Sequence, residues 1–170
     1  MKSRRNIFKL RFINVLLFAV LIFIQYSATF SIKISHANPL LPLTLLVIIC
    51  MFCSELTAAI SGLIVGIFMD TAAATPSGFN AIILMVLSLA VALIIRHLFN
   101  NNIFSAIALC LLCSTAYYLL RWGISFAFSA SLAENLTYLM QMVFPSVLYT
   151  SIFAVPFYYL EKKLYSIFYK

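Results

Sequence analysis

Apolar residues come in long blocks along this chain, and polar residues collect in the gaps between them. The first block covers about residues 12–32 and ends in a polar turn holding Lys33, Ser35, His36, Asn38 and Pro39. Two shorter runs follow, 40–53 and 56–70, divided by Ser54-Glu55. Small residues from Asp70 to Ser77, Pro76 among them, lead into a fourth run at 79–97, closed by Arg96-His97 and then Asn100-Asn101-Asn102. A fifth run, 103–122, meets Arg121-Trp122-Gly123, and a mildly amphiphilic stretch at 124–135 separates it from a sixth at 136–160, which ends at Glu161-Lys162-Lys163. Roughly 20 apolar residues are what a helix needs to cross a bilayer. The pattern predicts an all-α protein with six membrane helices.

The two middle runs are short for this purpose, about 14 residues each against the roughly 20 required. Joined into one tilted helix they would give five spans and place Glu55 near the bilayer centre, at a cost of about 2.5–3.5 kcal/mol or more unless paired. A hairpin turning at Glu55 avoids that burial, gives six spans and returns both chain ends to one side. The hairpin is the expected arrangement, with the short helices tolerated where neighbours shield their ends or the bilayer thins.

Composition points the same way. The chain has 170 residues, 65% of them hydrophobic and 9% charged, where soluble domains run about 45–50% and 25%. A water-soluble fold of this length cannot hide so much apolar surface. Disordered, collagenous and disulfide-scaffold classes are excluded by the same figures. No connection between the predicted helices is long enough for a separate soluble domain.

Lysine and arginine total 11 against 4 acids, a net charge of +7. Lys2, Arg4, Arg5, Lys9 and Arg11 precede the first block, and Lys162, Lys163 and Lys170 follow the last. Basic flanks of this kind mark the cytoplasmic side, next to anionic lipid, rather than nucleic-acid binding. In the six-helix reading nine of the eleven basic residues, Arg96 included, face the cytoplasm. The expected organisation is a cytoplasmic basic N-terminus at 1–11, a membrane domain at 12–160 and a cytoplasmic basic C-terminus at 161–170, in the cell membrane. Ser35-His36-Ala37 resembles a signal-peptidase site, but the apolar run before it exceeds the roughly 7–15 residues of a signal core. The first helix is therefore expected to be retained.

Few residues carry candidate chemistry. Cys50/Cys53 and Cys110/Cys113 have a zinc-like spacing, but they lie inside apolar runs without knuckle glycines, where burial disfavours the thiolate. Packing is the expected role, with no metal and no cofactor. Gly62 and Gly66 form a GxxxG that lets two helices approach closely, within the bundle or against a partner's helix. Asp70 closes the third run, and its carboxylate is expected to organise an outer loop with Pro76, Ser77, Gly78 and Asn80, Ser77 serving as N-cap of the fourth helix. Tyr117, Tyr118, Arg121 and Trp122 have the composition of an interfacial belt, and an Arg121–Asp70 pair is the other arrangement open to them. Gln141, Pro145, Tyr149, Thr150, Ser151 and Pro156 mark the sixth run as a kinked helix, or as a polar cavity wall. His36 and His97 fall on opposite faces. No catalytic motif occurs.

Gly62-Leu63-Ile64-Val65-Gly66-Ile67-Phe68-Met69-Asp70, the small-residue loop, and Pro76-Ser77-Gly78-Phe79-Asn80-Ala81 opening a long apolar helix resemble the rod shape-determining protein MreD family of bacteria. The basic N-terminus and Pro39-Leu40-Leu41-Pro42 agree with it. The resemblance implies a six-helix fold similar to the substrate-binding components of energy-coupling-factor vitamin transporters. It also implies a non-enzymatic role in the complex that builds lateral peptidoglycan. The implied partners are MreC most directly, then MreB, RodA and a class B penicillin-binding transpeptidase. The shared fold makes a vitamin-type binding component of a transporter the alternative.

Overall fold

Helices α1 (Lys2–Tyr26), α2 (Leu41–Phe52), α3 (Glu55–Ala72), α4 (Phe79–His97), α5 (Ile103–Ser125), α6 (Phe144–Ile152) and α7 (Ala154–Phe168) make up nearly all of a computed structural model that describes residues 2–26, 40–72, 78–98, 100–125 and 143–168. Among the described residues four stretches, Lys9–Tyr26, Glu55–Ala72, Phe79–His97 and Ile103–Gly123, are long and apolar enough to cross a membrane.

The turn at Cys53 and Ser54 separates α2 from α3, so Glu55 opens a helix instead of sitting in the middle of one. A carboxylate in a first helical turn is favoured by the helix dipole.

The short α2 is the centre of the molecule. Every residue from Leu41 to Met51 is buried, and α1, α3, α4, α5, α6 and α7 all pack against it. At 12 residues it is only about 18 Å long. Its free end groups therefore lie inside protein or lipid, where an unsatisfied peptide group is costly. Side chains from other helices close them. Leu40 N donates to Thr150 Oγ1 of α6 at 3.2 Å, and Leu41 N to Gln25 Oε1 of α1 at 3.1 Å. At the other end Asn101 Nδ2 donates to the Met51 carbonyl at 3.2 Å. The Asn101 carbonyl in turn accepts from the Tyr158 hydroxyl of α7 at 3.1 Å. The Thr150 hydroxyl is fully buried and donates its own proton to Ser146 O at 2.6 Å. Thr150→Val should therefore strand the Leu40 amide and cost about 1–3 kcal/mol, read as a lower thermal midpoint in detergent.

Two helix limits differ from the sequence expectation. α1 already starts at Lys2, because the basic segment holds no proline or glycine and its lysines and arginines are good helix formers. The sixth run is not one helix ending at 160. Its described part breaks at Phe153 and continues to Phe168. Pro156 has no N–H for the Ile152 carbonyl, and its ring crowds that carbonyl. The helix outlasts residue 160 because Ala154, Tyr158 and Glu161 form a buried face. Residues 27–32 and 126–142, including Gln141 and the start of the expected sixth run, lie outside the described residues.

Candidate functional site

α3 and α4 form the most intimate helix pair among the described elements. Ala58, Gly62, Val65, Gly66, Met69 and Asp70 make the buried stripe of α3. A Cβ on Gly62 would overlap the Ser88 hydroxyl and the Leu84 carbonyl; one on Gly66 would overlap Ala81 Cα and stand 2.6 Å from Ala81 N and Asn80 O. Both glycines of the GxxxG are thus occupied by α4 within the chain. Leu56, Ile60, Leu63, Ile64, Ile67 and Phe68 remain on the exposed side of α3.

The stripe ends at Asp70, which is 7% exposed. Its Oδ1 accepts from Asn80 N at 3.3 Å and Asn80 Nδ2 at 2.8 Å, and its Oδ2 accepts from Ala81 N at 3.2 Å. The carboxylate of one helix therefore caps the N-terminus of the next, where free amides and the dipole favour an anion. The N-cap position itself falls on Gly78, at φ 62° and without a side-chain cap. Nothing lies near a Cβ added there, so glycine is needed for the left-handed backbone and not for space. Pro76 and Ser77, expected in this loop, lie outside the described residues.

Asn80 also reaches the fifth helix. Its Oδ1 accepts from the Tyr117 hydroxyl at 2.6 Å, and that hydroxyl accepts from an Arg121 guanidinium N–H at 3.4 Å. Tyr117 is 1% exposed, which removes it from the expected belt: it is a buried strut between α5 and the α3–α4 junction. Tyr118 and Trp122 are half-buried and Arg121 is exposed. Arg121 and Asp70 are connected through Tyr117 and Asn80, an arrangement that neither a belt nor a direct pair anticipates. Apolar periodicity carries no sign of the 37-residue link between Asn80 and Tyr117. The only signal was a polar amide inside an apolar run.

The opposite end of the α3–α4 hairpin is held by Arg96 and Glu55, 2.8 Å apart with side chains 66% and 34% exposed. Exposed pairs contribute about 0–1 kcal/mol. Glu55→Gln should accordingly shift the thermal midpoint little, and much less than Thr150→Val.

Elsewhere, polar groups serve the backbone. The Ser88, Ser114, Thr150 and Ser151 hydroxyls each donate to a carbonyl of their own helix, the usual refuge of a hydroxyl in an apolar helix. Cys50, Cys110 and Cys113 are free thiols in the hydrophobic core. At the α2–α3 turn, burial and the nearby Glu161 push the Cys53 thiol up to about 11 while Arg11 opposes them, so it is protonated at neutral pH. Among the described residues no three His, Cys, Asp or Glu side chains gather where they could hold a metal ion.

These features define an all-helical membrane protein whose inward polar side chains close helix ends and tie helices together. The chain belongs to the rod shape-determining protein MreD family, whose model matches residues 6–168. It is a rod-shape-determining membrane protein. No curated protein and no solved structure matches it.

Proposed function

We propose that the protein is a non-enzymatic assembly component of the cell-elongation complex. It spans the cell membrane six times with both termini in the cytoplasm, in a fold similar to the substrate-binding components of energy-coupling-factor transporters. It binds MreC directly and, through the complex, is held with MreB, RodA and a class B penicillin-binding transpeptidase. The observation that carries this reading is the Asp70 junction. The acid most suggestive of chemistry accepts three hydrogen bonds from the start of α4, and so acts as a joint shaping the outer ends of α3 and α4. Gly62 and Gly66 fix the hairpin and leave the apolar outer side of α3 for lipid or a partner helix, while Tyr118, Arg121 and Trp122 seat the outer end of α5 in the headgroups.

A vitamin-type binding component is less well supported. The Thr150 and Ser151 hydroxyls proposed to line its cavity are engaged by backbone groups. Gentle purification from the native host followed by mass spectrometry separates the two. Recovery of MreC and wall synthases without a small molecule supports assembly. A coupling subunit, paired ATPases or a stoichiometric vitamin overturns it.

A further inference from the structure

Glu161 takes no part in the α3–α4 junction, yet it is 1% exposed. It lies on α7, one residue beyond the expected sixth span. The side-chain amide of Asn14, on α1, stands beside its carboxyl group. Glu161 Oε1 and Asn14 Oδ1 are nevertheless both buried without a hydrogen-bond partner. Two stranded acceptors on neighbouring side chains lack one hydrogen between them. An ionised carboxylate has only acceptor sites and cannot supply it. A protonated carboxyl can: its O–H donates to Asn14 Oδ1 while Asn14 Nδ2 donates to the other carboxyl oxygen, and both stranded atoms are satisfied together.

We propose that Glu161 is held as a neutral carboxylic acid in a reciprocal pair with Asn14, and that its ionisation releases α1 from α7. The surroundings favour this. Arg11, one helical turn before Asn14, and Lys9 are exposed. On α7 the Lys162 ammonium lies over the Tyr158 ring, 5.8 Å from its centre, and Tyr165 packs on Phe52. Glu55 of α3 is engaged by Arg96. The elements packed against α7 add the free thiols of Cys50, Cys53, Cys110 and Cys113 and the phenol of Tyr149. Burial pushes the Glu161 carboxyl up to about 7, with the Asn14 hydrogen bond opposing. Asn14 also lines a cavity of about 550 Å³ between α1, α2 and α3, with Arg11, Cys53 and Thr57 on its wall. The pair therefore sets how firmly α1 closes that cavity.

The sign of the pH effect follows from a carboxyl whose folded value is raised. The folded state holds the proton more tightly, so the pair's stabilisation is complete below the ordinary carboxyl range. It is lost as pH climbs to about 7 and changes little above that. From pH 6 to pH 8 the protonated fraction falls from about nine-tenths to about one-tenth. The test uses the full chain in lipid nanodiscs with glutamate side chains carbon-13 labelled, followed by infrared spectroscopy from pH 5 to 9. A labelled carboxylic-acid carbonyl band should disappear with a midpoint near 7 and be missing from Glu161→Gln. Glutamine keeps a reciprocal amide pair without a titrating proton, so hydrogen exchange in α1, corrected for intrinsic base catalysis, should rise about tenfold between pH 6 and 8 in the wild type and stay flat in the variant. A labelled glutamate spectrum showing only carboxylate throughout overturns the proposal, as does the same exchange profile in both proteins. If Glu161→Gln does not fold, the wild-type spectrum alone decides.

Discussion

Gly66→Leu should prevent α3 and α4 from docking and leave little folded protein to purify. The atoms facing Gly66 are backbone atoms of Ala81 and Asn80, so no side chain can swing aside and the helices must separate. Overpacking where side chains can yield costs about 1–3 kcal/mol. Here separation also pulls the first amides of α4 away from Asp70, so the loss should exceed that range, against total stabilities of about 5–15 kcal/mol. Gly62→Ala should be milder, since one of its two obstacles is the Ser88 hydroxyl, but the Leu84 carbonyl still opposes it. Gly123→Ala is the control. Nothing lies within 4 Å of a Cβ there, and replacing a helical glycine should raise stability by about 0.5–1 kcal/mol. Thermal melting of the three variants in one detergent checks the order. A folded Gly66→Leu protein with a wild-type midpoint would refute the close pairing.

The GxxxG was legible in the sequence because its signal is local: two missing Cβ atoms one turn apart mark a close approach wherever the partner lies. Its partner was not legible, since an α4 stripe of Asn80, Ala81, Leu84 and Ser88 reads like any apolar helix. The hairpin at Glu55 was legible for an energetic reason, a carboxylate being too costly at mid-membrane, and its ion pair with Arg96 adds a partner 41 residues away. The Asp70 joint was half legible. A carboxylate ending an apolar helix must be bonded, but its donors proved to be the first amides of α4 and the Asn80 side chain. Tyr117 was misread because an aromatic next to Arg and Trp has the composition of a belt, while its burial depends on which way α5 is rotated. Least legible were the caps of α2. Gln25, Thr150 and Asn101 stand far from it in sequence, and their role exists only because α2 is too short to carry its own ends out of the apolar region.

Asp70→Ala removes the acceptor of three hydrogen bonds at once, and it should be the most damaging polar substitution among the described residues. Asn80 N, Asn80 Nδ2 and Ala81 N would all lose their partner where little water can replace it. Hydrogen bonds to charged groups are worth about 1.5–3 kcal/mol each. Even with partial relaxation a loss of at least about 3 kcal/mol is expected, read from the thermal midpoint. Asn80 would also be free to turn, which removes the fixed acceptor of the Tyr117 hydroxyl and loosens α5. Tyr117→Phe isolates that second effect and should be much milder, because Asp70 keeps its hold on α4. Asp70→Asn should fall between, since one amide oxygen can replace only one carboxylate oxygen and the NH2 group then faces a donor. If the junction shapes a partner surface, Asp70→Ala should also lower recovery of the elongation-complex proteins and round the cells. Thr150→Val supplies the comparison, because it weakens the fold at the Leu40 cap and leaves the three hydrogen bonds of Asp70 in place. Equal loss of partners at equal loss of stability in the two variants would reduce Asp70 to a fold residue alone; greater loss in Asp70→Ala would identify the α3–α4 junction as part of the surface that the complex recognises.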